Sequence, residues 1–132
     1  MARESTVAGK VLLASATPVM QGLAQEMRQC IQDCLECANI CDQTLAYCLE
    51  LGGAHARPEH VNLLRDCEET CTIAASMMGR KSRFSGQQRE LCAVVCGACA
   101  DTCDAIGPDD AQMIACAEAC RRCQESCQAL SA

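Results

Sequence analysis

Cysteine is the residue type whose number and spacing could support chemistry in this chain. The sequence has 132 residues, of which 15 are cysteine, and three segments repeat the spacing Cys-x3-Cys-x2-Cys-x3-Cys. The repeats are Cys30, Cys34, Cys37 and Cys41; Cys92, Cys96, Cys99 and Cys103; and Cys116, Cys120, Cys123 and Cys127. Steps of four and three residues keep side chains on one face of an α-helix. Because thiolates prefer soft metal ions, the pattern predicts metal binding along the inner faces of helices.

The same four-three step, continued along the chain, places every cysteine on one of four inward lines. Non-cysteine members of these lines include Thr44, His60, Ala74 and Met113. His60 is either a ligand at the mouth of the interior or a solvated first-turn residue, and Met113 is either a thioether ligand or core filling. The predicted metal ligands are therefore Cys30, Cys34, Cys37, Cys41, Cys48, Cys67, Cys71, Cys92, Cys96, Cys99, Cys103, Cys116, Cys120, Cys123, Cys127, His60 and Met113.

Four helices are needed to carry these lines. Proline, glycine and capping residues predict them over 18–51, 58–78, 86–106 and 108–130, after an N-terminal extension or short helix over 1–17. The first helix is expected to bend near Gly22. Short connections between helices of similar length predict an all-α protein, a single domain folded as an antiparallel up-down four-helix bundle with cysteines lining its interior.

Local signals define the starts of these helices. Thr17 before Pro18 is typical of a cap followed by proline in the first turn. The segment from Ser85 to Gln88 has the form of a capping box. Pro108 is expected to open the fourth helix, with the two following aspartates in its first turn, where acidic groups suit the helix dipole.

Charge and hydropathy exclude several classes of protein. The net charge of -6 argues against a nucleic-acid partner, which would require a basic surface. No apolar run approaches the roughly 18 residues of a membrane span, and residues 1–16 lack the features of a signal peptide. We therefore expect a soluble, cytoplasmic protein whose thiols are reduced. No Ser/His/Asp set, glycine-rich phosphate loop or pair of catalytic carboxylates is present, so no enzyme is predicted.

Copper(I) is the metal that is favoured by cysteine thiols arranged along four inward lines. Bare thiolates would be costly in a closed interior, so the metal-free thiols should be protonated, and bound copper(I) should displace those protons. Bridging thiolates at about one copper per sulfur give a nearly neutral core, which predicts about 10 to 15 copper(I) ions per chain. Such a capacity indicates storage, because a chaperone or sensor needs only one or two sites.

Two other readings remain open. Zinc also accepts thiolates, so a zinc-buffering or structural zinc protein is the main alternative. A redox or iron–sulfur protein is the other, although the Cys-x2-Cys pairs lie inside helices and not at the helix N-termini that lower a thiol pKa.

An apolar line beside the cysteines points to self-association. On the first helix it contains Ile31, Leu35, Ala38, Leu45 and Leu49, and the third helix has a similar line at Leu91, Val95 and Ala98. Because thiols already occupy the interior, these residues either flank the core or face another subunit. We therefore expect a homo-oligomer.

From Gln29 to Ala129 the chain resembles the bacterial cytosolic copper storage proteins, which are cysteine-lined four-helix bundles. The segments Cys92 to Cys103 and Cys116 to Arg121 carry the resemblance. It implies a homotetramer of bundles, copper uptake through one open end near histidines or methionines, and reversible sequestration without catalysis. Copper ions are the expected partners, together with copper chaperones as candidate protein partners.

The chain departs from that family's pattern at a few places. Thr44 and Met113 stand on the inward lines where family members commonly add cysteines, and His60 occupies a position on the line of the second helix. The turn Gly107-Pro108-Asp109-Asp110 lacks the histidines that the family implies there. A lower capacity is therefore expected.

Overall fold

The described part of the protein consists of helices. The structure is a computed structural model and describes residues 17–131. Its helices are α1 (Pro18–Gln21), α2 (Gln25–Leu51), α3 (Pro58–Gly79), α4 (Ser85–Ile106) and α5 (Ala111–Ser131), with a 3-10 turn at Gly53–Ala56. Within this range there is no strand, so the all-α prediction is confirmed. The extension predicted over residues 1–16 lies outside the described residues.

The four long helices form an antiparallel square. Helices α2 and α4 each pack against both α3 and α5, and neither diagonal pair shares a main interface. Cys34 Sγ lies 3.5 Å from Cys123 Sγ. Further along α2, Cys41 Sγ lies 3.9 Å from Cys116 Sγ, so α2 and α5 run in opposite directions. The same reversal relates α3 to α4, which confirms the up-down bundle. Across residues 17–131, no helix has the length and apolar character needed to span a membrane.

The first predicted helix is interrupted where a bend was expected. Thr17 Oγ1 accepts a hydrogen bond from Met20 N, as the capping prediction requires, but α1 ends at Gln21. The backbone at Ala24 is extended, and α2 begins only at Gln25. Glycine at position 22 weakens the helix at this point, and the break lets Leu23 join the buried core. A continuous helix over 18–51 is therefore wrong.

The capping box predicted at the start of α4 is not formed. Helix α4 begins at Ser85 itself, and the residue before it, Phe84, has no side-chain acceptor for the first-turn N–H groups. The Ser85 hydroxyl accepts a hydrogen bond from Arg89 Nη1 at 3.3 Å. The capping-box pattern was therefore misleading, because the Gln88 N–H that a serine cap would bind already donates to Phe84 O at 3.1 Å.

Helix α5 begins three residues later than predicted. Pro108 and Asp109 lie in a turn, and Asp110 Oδ1 accepts from the backbone N–H groups of Gln112, at 2.9 Å, and Met113, at 3.3 Å. Asp110 therefore acts as the N-terminal cap and not as a first-turn acid. Gly107 is required beside this turn, because a Cβ there would lie 2.6 Å from Met113 Cγ.

Small side chains bring the helices close together around the sulfur-filled interior. The flanks of the cysteine lines carry buried alanines, namely Ala38, Ala75, Ala93, Ala100, Ala117 and Ala119. A Cβ added at Gly97 would lie 2.5 Å from Gln124 Nε2 on the facing helix α5. Such close approach is what allows thiols, which are short, to meet across the centre of the bundle.

Candidate metal centre

All fifteen cysteines point into the bundle. Each has no solvent exposure, and each is a free thiol. The four other residues singled out on the inward lines, Thr44, His60, Ala74 and Met113, are also fully buried. The inward orientation predicted from the four-three spacing is therefore confirmed, and a solvated His60 is wrong.

Twelve of the cysteines fall into five groups of four that could each hold a metal ion. Within each group all sulfur atoms lie within 4.8 Å of one another. In order along the bundle, the groups are Cys34/Cys92/Cys123/Cys127; Cys71/Cys92/Cys96/Cys123; Cys37/Cys67/Cys71/Cys96; Cys37/Cys41/Cys67/Cys120; and Cys41/Cys99/Cys116/Cys120. We refer to these five groups together as the thiol ladder.

Successive groups of the ladder overlap. Each group shares two cysteines with the next, and the first shared pair is Cys92 and Cys123. At the other end of the ladder the shared pair is Cys41 and Cys120. A thiolate that belongs to two groups can bridge two ions. The ladder is therefore one continuous set of sites and not a row of separate tetrahedral centres.

The thiols are in contact but are not bonded. The shortest separation, 3.5 Å, joins Cys92 Sγ to Cys71 Sγ and also Cys123 Sγ to Cys34 Sγ. A disulfide needs sulfur atoms about 2.05 Å apart. Sulfur atoms around one ion with metal–sulfur bonds of about 2.3 Å would be spaced close to the distances observed here. The ladder thus needs little rearrangement to accept metal.

Burial favours the protonated form of Cys48, which lies beyond one end of the thiol ladder. Burial, and to a smaller extent the negative charge that Cys116 and Asp110 would carry, together raise the pKa of the Cys48 thiol to about 11. Elsewhere in the interior the thiols also donate S–H groups to one another. The pKa of Cys30 is lowered to about 4 because Cys127 and then Cys34 donate to it. Metal ions that bind the protonated thiols, such as Cys48, must therefore displace protons.

Three different soft donors meet beyond the ladder. Cys48 Sγ lies 3.5 Å from His60 Nε2 and 3.6 Å from Met113 Sδ. We call these three residues the mixed-donor group. The structure thus brings both predicted non-cysteine ligands, His60 and Met113, to the same thiol. Their donor atoms are of the types that copper(I) and other soft ions prefer.

Hydrogen bonding orients His60 for this role. The Thr102 hydroxyl donates its single hydrogen to Cys99 O at 2.9 Å. Its oxygen must therefore accept at the 3.1 Å contact with His60 Nδ1, which places the ring proton on Nδ1. Nε2 is then left with a lone pair directed at Cys48, and burial lowers the pKa of His60, which favours the neutral ring. This is the arrangement that metal-binding histidines usually have.

Thr44 separates the mixed-donor group from the ladder. Its hydroxyl donates to Ile40 O at 2.6 Å and accepts from Gln112 Nε2 at 2.9 Å. Because its oxygen is already engaged in both directions, Thr44 contributes no ligand at the position that lies between Cys41 and Cys48. Cys103 also lies outside the ladder groups, although its thiol interacts with Cys116 and Cys99.

The rim outside the mixed-donor group contains one residue that sequence analysis missed, Tyr47. Asp110 Oδ2 accepts a hydrogen bond from Tyr47 at 2.7 Å and lies 3.2 Å from His55 Nε2. The Tyr47 bond lowers the pKa of Asp110. The three side chains border an open recess of about 710 Å³. Tyr47 lies off the cysteine line, so only its being the sole tyrosine could have drawn attention to it.

The opposite end of the column contains thiols but no histidine. Cys30 Sγ lies 3.7 Å from Cys127 Sγ, and Met78 near the end of α3 is fully buried. Met27 is only partly buried against the core. On the flank of α2, the Asp33 carboxylate accepts hydrogen bonds from Ser126 of α5 and from Gln29. The two ends of the bundle therefore differ in chemistry.

Comparison with known proteins identifies close relatives. A family model described as copper storage protein matches residues 23–132. The uncharacterized cysteine-rich protein YhjQ of Bacillus subtilis (strain 168) is 33% identical over 93 residues, which are 70% of this chain and 86% of that protein.

Two solved structures are similar along most of the chain. The Cu(I)-bound copper storage protein BsCsp3 has a TM-score of 0.76 and 32% identity, covering 82% of this chain and 100% of that one. A cytosolic copper storage protein from Streptomyces lividans, studied with five coppers, has a TM-score of 0.71 and 30% identity, covering 81% of this chain and 92% of that one.

The raised pKa of Cys48 predicts a loss of stability at alkaline pH. Between the ordinary thiol pKa of 9.0 and the folded value of about 11, the folded state keeps a proton that the unfolded state releases. Stability that is present below pH 9.0 should therefore fall as the pH rises towards about 11. The difference between these two pKa values corresponds to at most about 2.7 kcal/mol for Cys48. Urea unfolding of the reduced, metal-free protein across this range should show a smaller fall for Cys48→Ser. An equal fall in both proteins would contradict the assignment.

Proposed function

Because the chain belongs to the copper storage protein family, we propose that it stores copper(I) ions in the cytosol on the thiolates of its bundle core. The family match spans all four long helices. The observation that carries the proposal is the thiol ladder, in which each group of four shares two sulfurs with the next. The proposed role is storage and not catalysis, since the fully buried thiols offer no surface on which a substrate could bind.

The ladder favours a large number of monovalent ions. Bridging lets one thiolate serve two copper(I) ions, so a filled core approaches one positive charge per sulfur. The proposed capacity is about 10 to 15 copper(I) ions per chain, bound by the 15 cysteines, with His60 and Met113 as additional ligands. Zinc remains the second candidate, because each ladder group has the four ligands of a tetrahedral zinc site.

Copper uptake is proposed at the end that carries the mixed-donor group. There a neutral imidazole and a thioether bind an ion without adding negative charge, so an ion can be held and passed on more easily than among thiolates alone. The recess bordered by Tyr47, His55 and Asp110 lies outside this group. Copper chaperones are the proposed class of protein that delivers or removes the ions.

We also propose a homotetramer, in accord with the family resemblance. Leu35 and Leu49 on α2 are 43% and 58% exposed, and Leu91 and Val94 on α4 are 50% and 69% exposed. Helices α2 and α4 are diagonal in the bundle, so the two apolar surfaces face different directions. A tetramer with two kinds of two-fold interface would cover both surfaces, whereas a dimer would cover one.

Removal of a shared pair of thiols should reduce the copper capacity. The double variant Cys71→Ala/Cys96→Ala lacks a pair that belongs to two ladder groups, and it should bind about two ions fewer than wild type. Anaerobic titration against a chromophoric copper(I) chelator measures the end point. Thr44→Val, which alters a buried residue of the same interior without removing sulfur, is the control and should keep the full capacity. A wild-type end point at one or two ions would contradict storage. Saturation at about four zinc ions that copper(I) does not displace would favour the zinc alternative.

Loss of a mixed-donor ligand should impair uptake while the ladder remains intact. His60→Ala and Met113→Leu should each lower the affinity for the ion at Cys48 by at least the roughly 10- to 100-fold that loss of a supporting residue costs. Each should also slow transfer of copper from a chromophoric copper(I) complex in stopped-flow experiments. Arg65→Ala removes an exposed side chain of α3 that pairs with Glu69 and does not border the recess, so its kinetics should match wild type. Equal slowing in all three variants would argue against the proposed role.

Charge placed in either apolar surface should dissociate the tetramer to dimers. The variants Leu35→Glu/Leu49→Glu and Leu91→Glu/Val94→Glu each place two carboxylates in one proposed interface, where burial without partners is unfavourable. Light scattering coupled to gel filtration measures the mass of each. Val19→Glu, at a residue that is 62% exposed on α1, is the matched control. A monomeric wild-type protein would contradict the proposed assembly and would leave copper storage untouched.

A further inference from the structure

The N-terminus of α4 is a positive site without a negative partner among the described residues. Phe84, which precedes the helix, provides no side-chain cap, and the first turn contains no acidic residue. The backbone N–H groups of Gly86 and Gln87 have no acceptor within residues 17–131. Free N–H groups and the helix dipole give such a terminus a partial positive charge.

A buried arginine is folded onto this same turn. Arg89 is only 9% exposed, and its Nη1 donates to Ser85 Oγ at 3.3 Å. Its Nη2 lies 3.9 Å from the place that a Cβ on Gly86 would occupy. Within residues 17–131, no group accepts a hydrogen bond from its Nε, which is buried. Burying a guanidinium with an unused donor is unfavourable, and doing so beside the positive end of a helix is more so.

These groups border one recess. It has a volume of about 240 Å³, and it is lined by Gly86, Gln87, Arg89, Glu90 and Leu130. Glu90 is exposed, and none of the ion pairs within the described range joins it to Arg89. The preceding loop carries three further cations, Arg80, Lys81 and Arg83. In a protein with a net charge of -6, this concentration of positive charge is unusual.

We propose that this recess binds a small oxyanion, either phosphate or a carboxylate. The N–H groups of Gly86 and Gln87 and the guanidinium of Arg89 would donate to its oxygens. Helix N-termini commonly bind such anions, and the guanidinium fork is suited to pairs of oxygen atoms. The anion supplies a negative charge for the buried guanidinium of Arg89 and for the helix end. The site is separate from the thiol ladder and does not depend on the proposed copper storage.

Anion titration of the full-length, reduced, metal-free protein tests the proposal. Amide resonances of the isotope-labelled protein are followed while inorganic phosphate or acetate is added at constant ionic strength, with chloride as the reference anion. We expect saturable shifts centred on Gly86 and Gln87. Arg89→Gln should weaken binding by about tenfold or more, because the charged hydrogen bonds are lost. Arg89→Lys, which keeps the charge but not the fork, should have an intermediate affinity.

A matched variant separates a built site from diffuse surface charge. Arg65→Gln removes the same charge from an exposed arginine of α3 and should leave the affinity unchanged. Saturation by phosphate alone would identify a phosphate site, and saturation by acetate as well would identify a site for carboxylates. Shifts that increase linearly with both anions, or equal weakening by Arg65→Gln, would overturn the proposal. If Arg89→Gln fails to fold, the position of the shifts in wild type and the affinity of Arg89→Lys decide the matter.

Discussion

The packing of fifteen thiols in a dry interior is the condition on which the rest of the structure depends. Sulfur atoms of different helices lie 3.5–3.9 Å apart, and none of the cysteines has solvent exposure. A column of bare thiolates in such a place would be opposed by both desolvation and mutual repulsion. The thiols must therefore be either protonated or bound to metal ions. The helices must hold them in place in both states. The alanines beside the cysteines and the close approach at Gly97 allow the four helices to pack closely enough for short side chains to fill the centre.

The two ends of this column have different surroundings, and the differences arise in the turns. Gly107 leaves room for Met113, and Asp110 caps α5 while it also holds Tyr47 and His55 on the rim. These contacts give one end uncharged soft ligands inside and an acidic rim outside. At the other end the turn before α4 carries cations, and Arg89 is held against the start of that helix. The two ends of the bundle therefore differ in charge and in side-chain chemistry, although all four helices line the interior with cysteine.

Sequence periodicity predicted the interior almost completely and predicted the turns poorly. The four-three spacing is a property of the helix itself, so every cysteine could be assigned an inward position, and burial agrees at each one. The helix starts depended on local competition that a pattern does not reveal. Ser85 matched a capping box, yet the Gln88 N–H bonds to Phe84 O, and Pro108 matched a helix start, yet Asp110 supplies the cap. The tautomer of His60 required the position of Thr102, which lies 42 residues away in the sequence. The pairing of thiols into overlapping groups likewise depends on the rotation of each helix, which no linear spacing records.

Overlap between neighbouring groups has a consequence for how the contents of the core would move. An ion in one group already touches two of the sulfurs of the next, so it can advance by exchanging the other two, without ever leaving thiolate coordination. Ions in such a column would move in single file, without passing one another. If ions pass only through the end near Cys48, the ions that arrived last leave first, and those deposited near Cys127 are the slowest to turn over. The protein would then keep a fast-exchanging fraction and a long-lived reserve within the same twenty-odd residues of helix.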